Sequence, residues 1–329
     1  MTTPTHQKSP SRPPPYDAPL PARWGPGQRA KNTLIYWALR LVIGIWQMLP
    51  VRLCLEAGAL LGWFASFLPI RERRRAAANL AASFPELSPR ERMHILRDMY
   101  VHLGRSVMEA VHLRKTMRRH PELALSDEHR AIFDEALAGG SGLVAVTGHI
   151  GNWELLAQVL AQSGYDVSSI AKPLYDPRLT RIVHKERTAS GLKLIWRGDS
   201  KGSKEMLRVF KNNGILGLLI DQDTRVQGVF VPFFGRAAHT PSAAAVLALR
   251  AKAPVVVGWL HRHTKSDNDK RAGQFTVHFE ALPFEPSGDR DADVLALTAK
   301  ITERLEWAIR QQPSQWVWMH DRWKTRPPA

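Results

Sequence analysis

Leu143-Val-Ala-Val-Thr147-Gly-His149-Ile-Gly-Asn-Trp-Glu154-Leu-Leu156 passes from a compact apolar run into a helical pattern continued by Val159 and Leu160. A short apolar run bounded by glycine reads as a buried strand, and apolar residues at i, i+3 and i+4 read as a helix. A histidine therefore stands where the strand ends, and a carboxylate five positions later stands in the first turn of the helix. The helix N-terminus favours an ionised Glu154. Such a carboxylate can keep one imidazole nitrogen protonated and leave the other free to take a proton, which is a general-base arrangement. Gly148 and Gly151 let a substrate approach closely, and Asn152 can cap the helix. The plainer alternative is a buried, hydrogen-bonded histidine beside a capped helix.

Outward from this stretch the chain keeps the same rhythm. Strand-like runs fall at Leu143–Thr147, Asp166–Ala171, Leu192–Trp196, Ile215–Ile220, Val255–Leu260 and Gln274–Phe279. Helical patterns lie between most of them, at 152–163, 177–189, 200–212 and 241–252, with a last helix near 291–311. Gly164, Gly191 and Gly214 stand where helix C-caps stand. The alternation predicts an α/β fold, a mostly parallel sheet flanked by helices. Ligands in such sheets bind beyond the carboxyl ends of strands. His149 and Asp221-Gln222-Asp223 both follow such ends, so polar groups from two strands converge on one edge.

Upstream, residues 71–140 read as helical, with Leu80, Phe84, Leu96, Met99, Tyr100 and Leu103 at helical spacing and a capping box at Ser88-Pro-Arg-Glu91. Residues 32–70 are largely apolar, but Arg40, Arg52 and Glu56 interrupt them. No clean run reaches the roughly 18–20 residues of a membrane span. Two amphipathic helices lying on a bilayer fit this pattern. A hairpin packed on the protein's own core is the alternative, and Arg71, Arg73, Arg74 and Arg75, placed where anionic head groups would be, favour the membrane. Residues 1–31 hold eight of the 23 prolines and no apolar signal-peptide core, so they read as a disordered basic tail. The domain expected after these two segments covers 71–326, helical to 140 and α/β from 141.

With 46 Lys+Arg against 30 Asp+Glu, the net charge of +16 calls for an anionic partner. Nucleic acid is the weakest choice, because no zinc module, helix-turn-helix or aromatic-basic strand motif is present. A single cysteine, Cys54, excludes an internal disulfide and a cysteine-rich metal site.

Four blocks carry a resemblance. They are His149-Ile-Gly-Asn-Trp-Glu154, Ala78-Asn-Leu-Ala-Ala-Ser-Phe-Pro-Glu86, and Leu219-Ile-Asp-Gln-Asp223 with Val231-Pro-Phe-Phe-Gly235 and Thr240-Pro241. The fourth is Gln315-Trp-Val-Trp-Met-His-Asp-Arg-Trp-Lys324. Together they resemble the lipid A biosynthesis (late, Kdo-lipid A type) acyltransferase branch of the lysophospholipid and glycerolipid acyltransferase superfamily, over roughly residues 33 to 326. The resemblance implies that His149, oriented by Glu154, deprotonates an acceptor hydroxyl that attacks an acyl-acyl-carrier-protein thioester. It implies no cofactor and no metal. The acceptor would be a phosphorylated lipid A precursor or related glycolipid, or another membrane lipid. The place would be the cytoplasmic face of an inner membrane rich in anionic phospholipid, with peripheral binding or one N-terminal anchor.

Substrate contacts are expected at Gly151, Asn152, Trp153, Lys172, Arg181, Arg187, Asp221 and Gln222. The oxyanion would meet backbone N–H groups near Gly151 or a basic side chain. The branch has an arginine in the helix after its second motif. Arg187 is the preferred match and Arg181 the second. Lys172-Pro-Leu stands where the branch often has Arg-Pro-Leu; lysine binds phosphate without the bidentate fork. Asp221, Gln222 and Asp223 offer oxygen ligands for magnesium, but strand-end residues holding the loop to Pro241 account for them more simply. His239 has no expected role, and His320 reads as a packed histidine. Gly198-Asp-Ser200-Lys-Gly202 matches the nucleophile-elbow pattern and would make a serine hydrolase. No glycine-rich oxyanion loop accompanies it, and Ser200 also suits a helix cap.

Overall fold

The computed structural model describes residues 15–199, 201–264 and 271–328. Ser200, the nucleophile of the hydrolase alternative, lies outside the described residues. The N-terminal half is helical: α1 (Pro26–Met48), α2 (Val51–Ala65), α3 (Arg71–Ser83), α4 (Pro89–Val111), α5 (Leu113–Arg119) and α6 (Asp127–Leu137). The helix expected from 32 begins at Pro26, inside the stretch assigned to the tail. Proline suits a first helical turn, where its missing N–H has no partner to lose, and the preceding Trp24 is buried against Tyr175, 5.2 Å between ring centroids. Helix α4 starts on the Ser88–Glu91 capping box.

The second half alternates: β1 (Leu143–Thr147), α7 (Trp153–Gln162), β2 (Val167–Ala171), α8 (Pro177–Thr188), β3 (Lys193–Trp196), α9 (Gly202–Lys211) and β4 (Ile215–Leu219). It continues with β5 (Gly228–Phe233), β6 (Arg236–Pro241), α10 (Ala243–Ala251), β7 (Val255–Arg262), β8 (Phe275–Ala281) and α11 (Arg290–Gln311). Six strands form one sheet in the order β3-β2-β4-β1-β7-β8, and all its pairs are parallel except β7–β8. The α/β class and the mostly parallel sheet are as the rhythm predicted.

Strand β1 is central and buried on both faces, which is why it reads as an unbroken apolar run. Val144 and Val146 enter one core with α3, α4, α10 and α11, while Leu143 and Ala145 enter the other with α5, α6 and α7. Each fully buried valine or leucine contributes about 1.5–3 kcal/mol. A one-residue slip would exchange the two faces.

The β5–β6 hairpin was not anticipated. Its turn is Phe234-Gly235, both with positive φ (50° and 69°), rather than the Asn-Gly that signals such turns. Phe234 is held there by its N–H donating to Glu306 at 2.6 Å and by burial among aromatic rings.

Helix α2 lies so close to α4 that a Cβ on Gly62 would meet the Tyr100 carbonyl oxygen at 2.1 Å. Its opposite face carries Leu60, Leu61 and Phe64, each at least half exposed, and α1 exposes Leu34, Trp37, Leu41, Ile45 and Met48 in the same way. No described helix is long and apolar enough to cross a membrane.

Candidate active site

Strands β1 and β4 are parallel neighbours with Thr147 opposite Leu219. Two residues further along each chain, His149 and Asp221 therefore meet at the carboxyl edge of the sheet. His149 Nδ1 lies 2.8 Å from Asp221 Oδ1, and the His149 backbone N–H donates to Oδ2 at 2.6 Å. The indole of the buried Trp316 donates to the same Oδ2 at 2.8 Å. Gly148 leaves room for this: a Cβ there would come within 2.9 Å of the carboxylate.

Burial of Asp221 favours its neutral form, but the His149 charge and three hydrogen bonds outweigh it and bring the carboxyl down to about 2. An ionised carboxylate only accepts, so Nδ1 carries the proton and a neutral His149 presents a free Nε2. For His149 the largest influence, burial, lowers its affinity for a proton. The Asp221 charge and hydrogen bond, helped by Glu154 and opposed by Arg187, outweigh it, and the net shift is upward.

Glu154, expected on the imidazole, makes a different pair. Its Oε2 accepts from Arg187 Nε at 2.8 Å, and its Oε1 pairs with Nη2 of the same guanidinium. The reason lies in direction. Glu154 opens α7 and faces α8, whereas the nitrogen of His149 faces β4. The pair is a fork-to-fork contact on two partly buried side chains, which fixes the guanidinium in one plane.

The loop between His149 and Glu154 is clamped from below. Gly151 has φ of +58°, and a Cβ on it would overlap the Leu260 carbonyl oxygen at 1.5 Å, so only glycine fits. Its N–H donates to Gln315 O at 2.7 Å. Asn152 caps α7 through its Oδ1 (3.2 Å and 3.3 Å to the N–H groups of Glu154 and Leu155) and donates Nδ2 to Glu109 Oε2 at 2.7 Å. Glu109 is wholly buried on α4 and paired with the buried Arg262. Gln315 bonds both the N–H and the C=O of Arg262, at 2.9 Å and 2.7 Å. Gly151 and Asn152, expected to touch substrate, thus belong to the framework, and the Gly151 N–H is not available to an oxyanion.

Residues 26–325 match the family model described as bacterial lipid A biosynthesis acyltransferase. The chain belongs to that family, and it is an acyltransferase. It is 24% identical to a lipid A biosynthesis acyltransferase of Haemophilus influenzae, covering 89% of this chain and 92% of the relative. It is 25% identical to the lipid A biosynthesis lauroyltransferase of Escherichia coli, over 89% and 93% of the two chains. It is also 26% identical to a phosphatidylinositol mannoside acyltransferase of Mycobacterium tuberculosis, over 58% of this chain and 57% of that one.

In this acyltransferase, Trp153 packs edge-on against His149, 4.8 Å between centroids. Lys172 is exposed just beyond β2. Arg181 is exposed on α8, donating to the Tyr16 carbonyl at 2.9 Å, with Asp17 at 3.7 Å. No bond joins it to His149, Asp221 or Glu154, whereas Arg187 bonds Glu154 and its charge lowers the proton affinity of His149. Gln222 follows Asp221 and is partly exposed. Asp221 itself has both oxygens filled by N–H donors, which speaks for a positioning role and against a metal-ligand role. Asp223 is buried and accepts from the Thr325 N–H at 2.9 Å, tying down the C-terminal segment. His239 lies beside it, its Nδ1 at 3.4 Å. His320 is partly buried, its Nε2 has no hydrogen-bond partner, and burial lowers its proton affinity.

Glu109 and Arg262 escaped the sequence reading, and Gln315 and Trp316 stood in the C-terminal block with no role assigned to them. Glu109 did leave a signal: it is a carboxylate that falls in line with the apolar positions of α4. A buried carboxylate demands a cation, and Arg262 closes a strand that is apolar from Val255 to Leu260.

Proposed function

We propose that this acyltransferase moves a fatty acyl chain from an acyl-acyl-carrier-protein thioester to a hydroxyl of a lipid A precursor or related glycolipid, with His149 as the general base. The observation that carries the reading is the Nδ1–Asp221 bond, which leaves Nε2 as the proton acceptor at the sheet edge. Nε2 takes the hydroxyl proton as the oxygen attacks the thioester carbonyl. The tetrahedral intermediate then collapses, the C–S bond breaks, and the imidazolium returns the proton to the departing thiolate. Asp221 stabilises the imidazolium between these steps. Arg187, held by Glu154 and close enough to His149 for its charge to lower the ring's proton affinity, is the cation offered to the oxyanion. In this account Asp221 takes the orienting role first assigned to Glu154.

The exposed apolar faces of α1 and α2 support work at a membrane surface, as does the net charge of +16, which suits both an acidic carrier protein and a phosphorylated acceptor. The cytoplasmic leaflet of an inner membrane is where both substrates meet. The likeness to a phosphatidylinositol mannoside acyltransferase favours a mannosylated phospholipid as the second reading of the acceptor.

Purified protein offered acyl-carrier-protein donor with each acceptor in turn, and the products read by mass spectrometry, tests both readings. Transfer to the lipid A precursor, lowered about 10²–10⁴-fold in His149→Ala, is the expected result. Full activity in that variant would remove His149 from the mechanism, and transfer to the mannoside alone would replace the acceptor.

A further inference from the structure

A cavity of about 460 Å³ opens between α1 and α8, on the side of α8 away from Glu154. Arg40 and Tyr36 line it from α1, and Arg178, Arg181, Lys185 and Glu186 from α8. The α8 residues recur at i, i+3, i+7 and i+8, which makes them one helix face. Four cations thus surround one small space against a single carboxylate, and Glu186 also faces Arg114 at 3.9 Å.

The cations are not equivalent. Arg178 is fixed: its Nη2 donates to Asp176 at 2.7 Å, its Nη1 to Thr33 at 3.0 Å, and its guanidinium lies over the Tyr36 ring at 4.6 Å. Arg181 has only the exposed Asp17 at 3.7 Å for a counter-charge. Arg40 and Lys185 have no ion-pair partner among the described residues, and both are exposed. Arg40 and Lys185 add like charge that no ion pair offsets among the described residues, and an anion entering the cavity relieves the repulsion. An anion there meets one rigid guanidinium and three adjustable cations.

The surroundings select the kind of anion. Arg40 sits on the helix whose exposed face carries Leu34, Leu41, Ile45 and Met48. Apolar side chains beside a basic pocket match a lipid, whose phosphate adjoins its acyl chains. Lys185 and Arg187 are two residues apart on α8, so they point about 200° away from each other. The cavity and the Glu154–Arg187 pair therefore lie on opposite sides of the same helical turn. We infer that the cavity between α1 and α8 binds a lipid-borne phosphate, on the side of α8 opposite the Glu154–Arg187 pair.

The inference rests on the proposed lipid chemistry, but one arm of its test needs no acyl transfer. The full chain carrying Arg40→Gln and Lys185→Gln is compared with a control carrying Lys204→Gln and Lys211→Gln, which removes equal charge from exposed positions on α9. Binding is measured on phosphatidylcholine vesicles with and without phosphatidate. Kinetics are measured in neutral detergent with the phosphorylated acceptor and with its dephosphorylated form. Binding to phosphatidate vesicles weaker by about tenfold or more, with the control unaffected, is expected for the cavity variant. A KM raised for the phosphorylated acceptor alone, at unchanged kcat, assigns the phosphate to the acceptor. A loss confined to vesicles assigns it to the surrounding phospholipid, and either supports the inference. A raised KM for the carrier-protein donor with lipid binding intact overturns it in favour of an acidic protein. Equal losses in cavity variant and control, or no loss in either arm, overturn it as well.

Discussion

Asp221 stands 72 residues from His149 and bonds it twice, whereas Glu154 stands five residues away and bonds Arg187. The contrast teaches what sequence proximity does and does not give. A short spacing across a loop leaves the side chains free to point apart, and here the start of α7 carries Glu154 toward α8. Parallel strand register admits no such freedom: once Thr147 pairs with Leu219, the residues two beyond each must be neighbours. Two carboxylates near one imidazole consequently do different work, one orienting the ring and the other a guanidinium.

Perturbing each carboxylate and its partner sharpens the contrast. The largest effect belongs to Asp221→Asn, which keeps the size of the side chain but no longer favours the imidazolium. A fall in kcat/KM by about 10³–10⁴ is expected, read with saturating and limiting acceptor. Glu109→Ala comes next, since it leaves the Arg262 charge buried and unpaired beneath the loop. It should cost about 3–5 kcal/mol of stability in denaturant titration, and a loss under about 1 kcal/mol would show that the Glu109–Arg262 pair does not hold the loop. Arg187→Gln should lower kcat by about 10²–10³ with little change in acceptor KM, as loss of an oxyanion donor does. An equal rise in KM with kcat intact would make Arg187 a binding residue instead. Smallest is the replacement of Leu60 or Phe64 by serine on the outer face of α2. Each should weaken vesicle binding by about tenfold at unchanged thermal stability, whereas a fall in stability would mean that this face packs against protein.

Much of the fold could be read from the chain. The apolar runs of β1, β2, β3, β4 and β7 and the helices between them are strongly periodic, and the structure has them within a few residues. The β5–β6 hairpin was hidden because its turn places Phe234 at positive φ, a conformation that only its surroundings justify. At the site, His149 and Asp221 were visible as polar residues beyond two strand ends. What linked them was not, because pairing of β1 with β4 is a long-range choice that no local pattern states. Trp316 and Gln315 were quoted as part of a motif, yet their contacts with Asp221 and Gly151 join segments far apart in the chain. Charges interrupt the apolar residues of α1 and α2 too often for a membrane span, and the structure leaves many of these residues exposed.

The pH dependence of kcat/KM across the two carboxylate variants tests the account most directly. General-base catalysis needs neutral His149, so activity should rise with pH through the elevated value that Asp221 imposes, placing the acid limb above the ordinary histidine value near 6.5. In Asp221→Asn the burial that remains should move that limb below this value, while Glu154→Gln should move it only slightly downward. A limb that follows Glu154→Gln and ignores Asp221→Asn would contradict the assignment of Asp221 as the partner of the base.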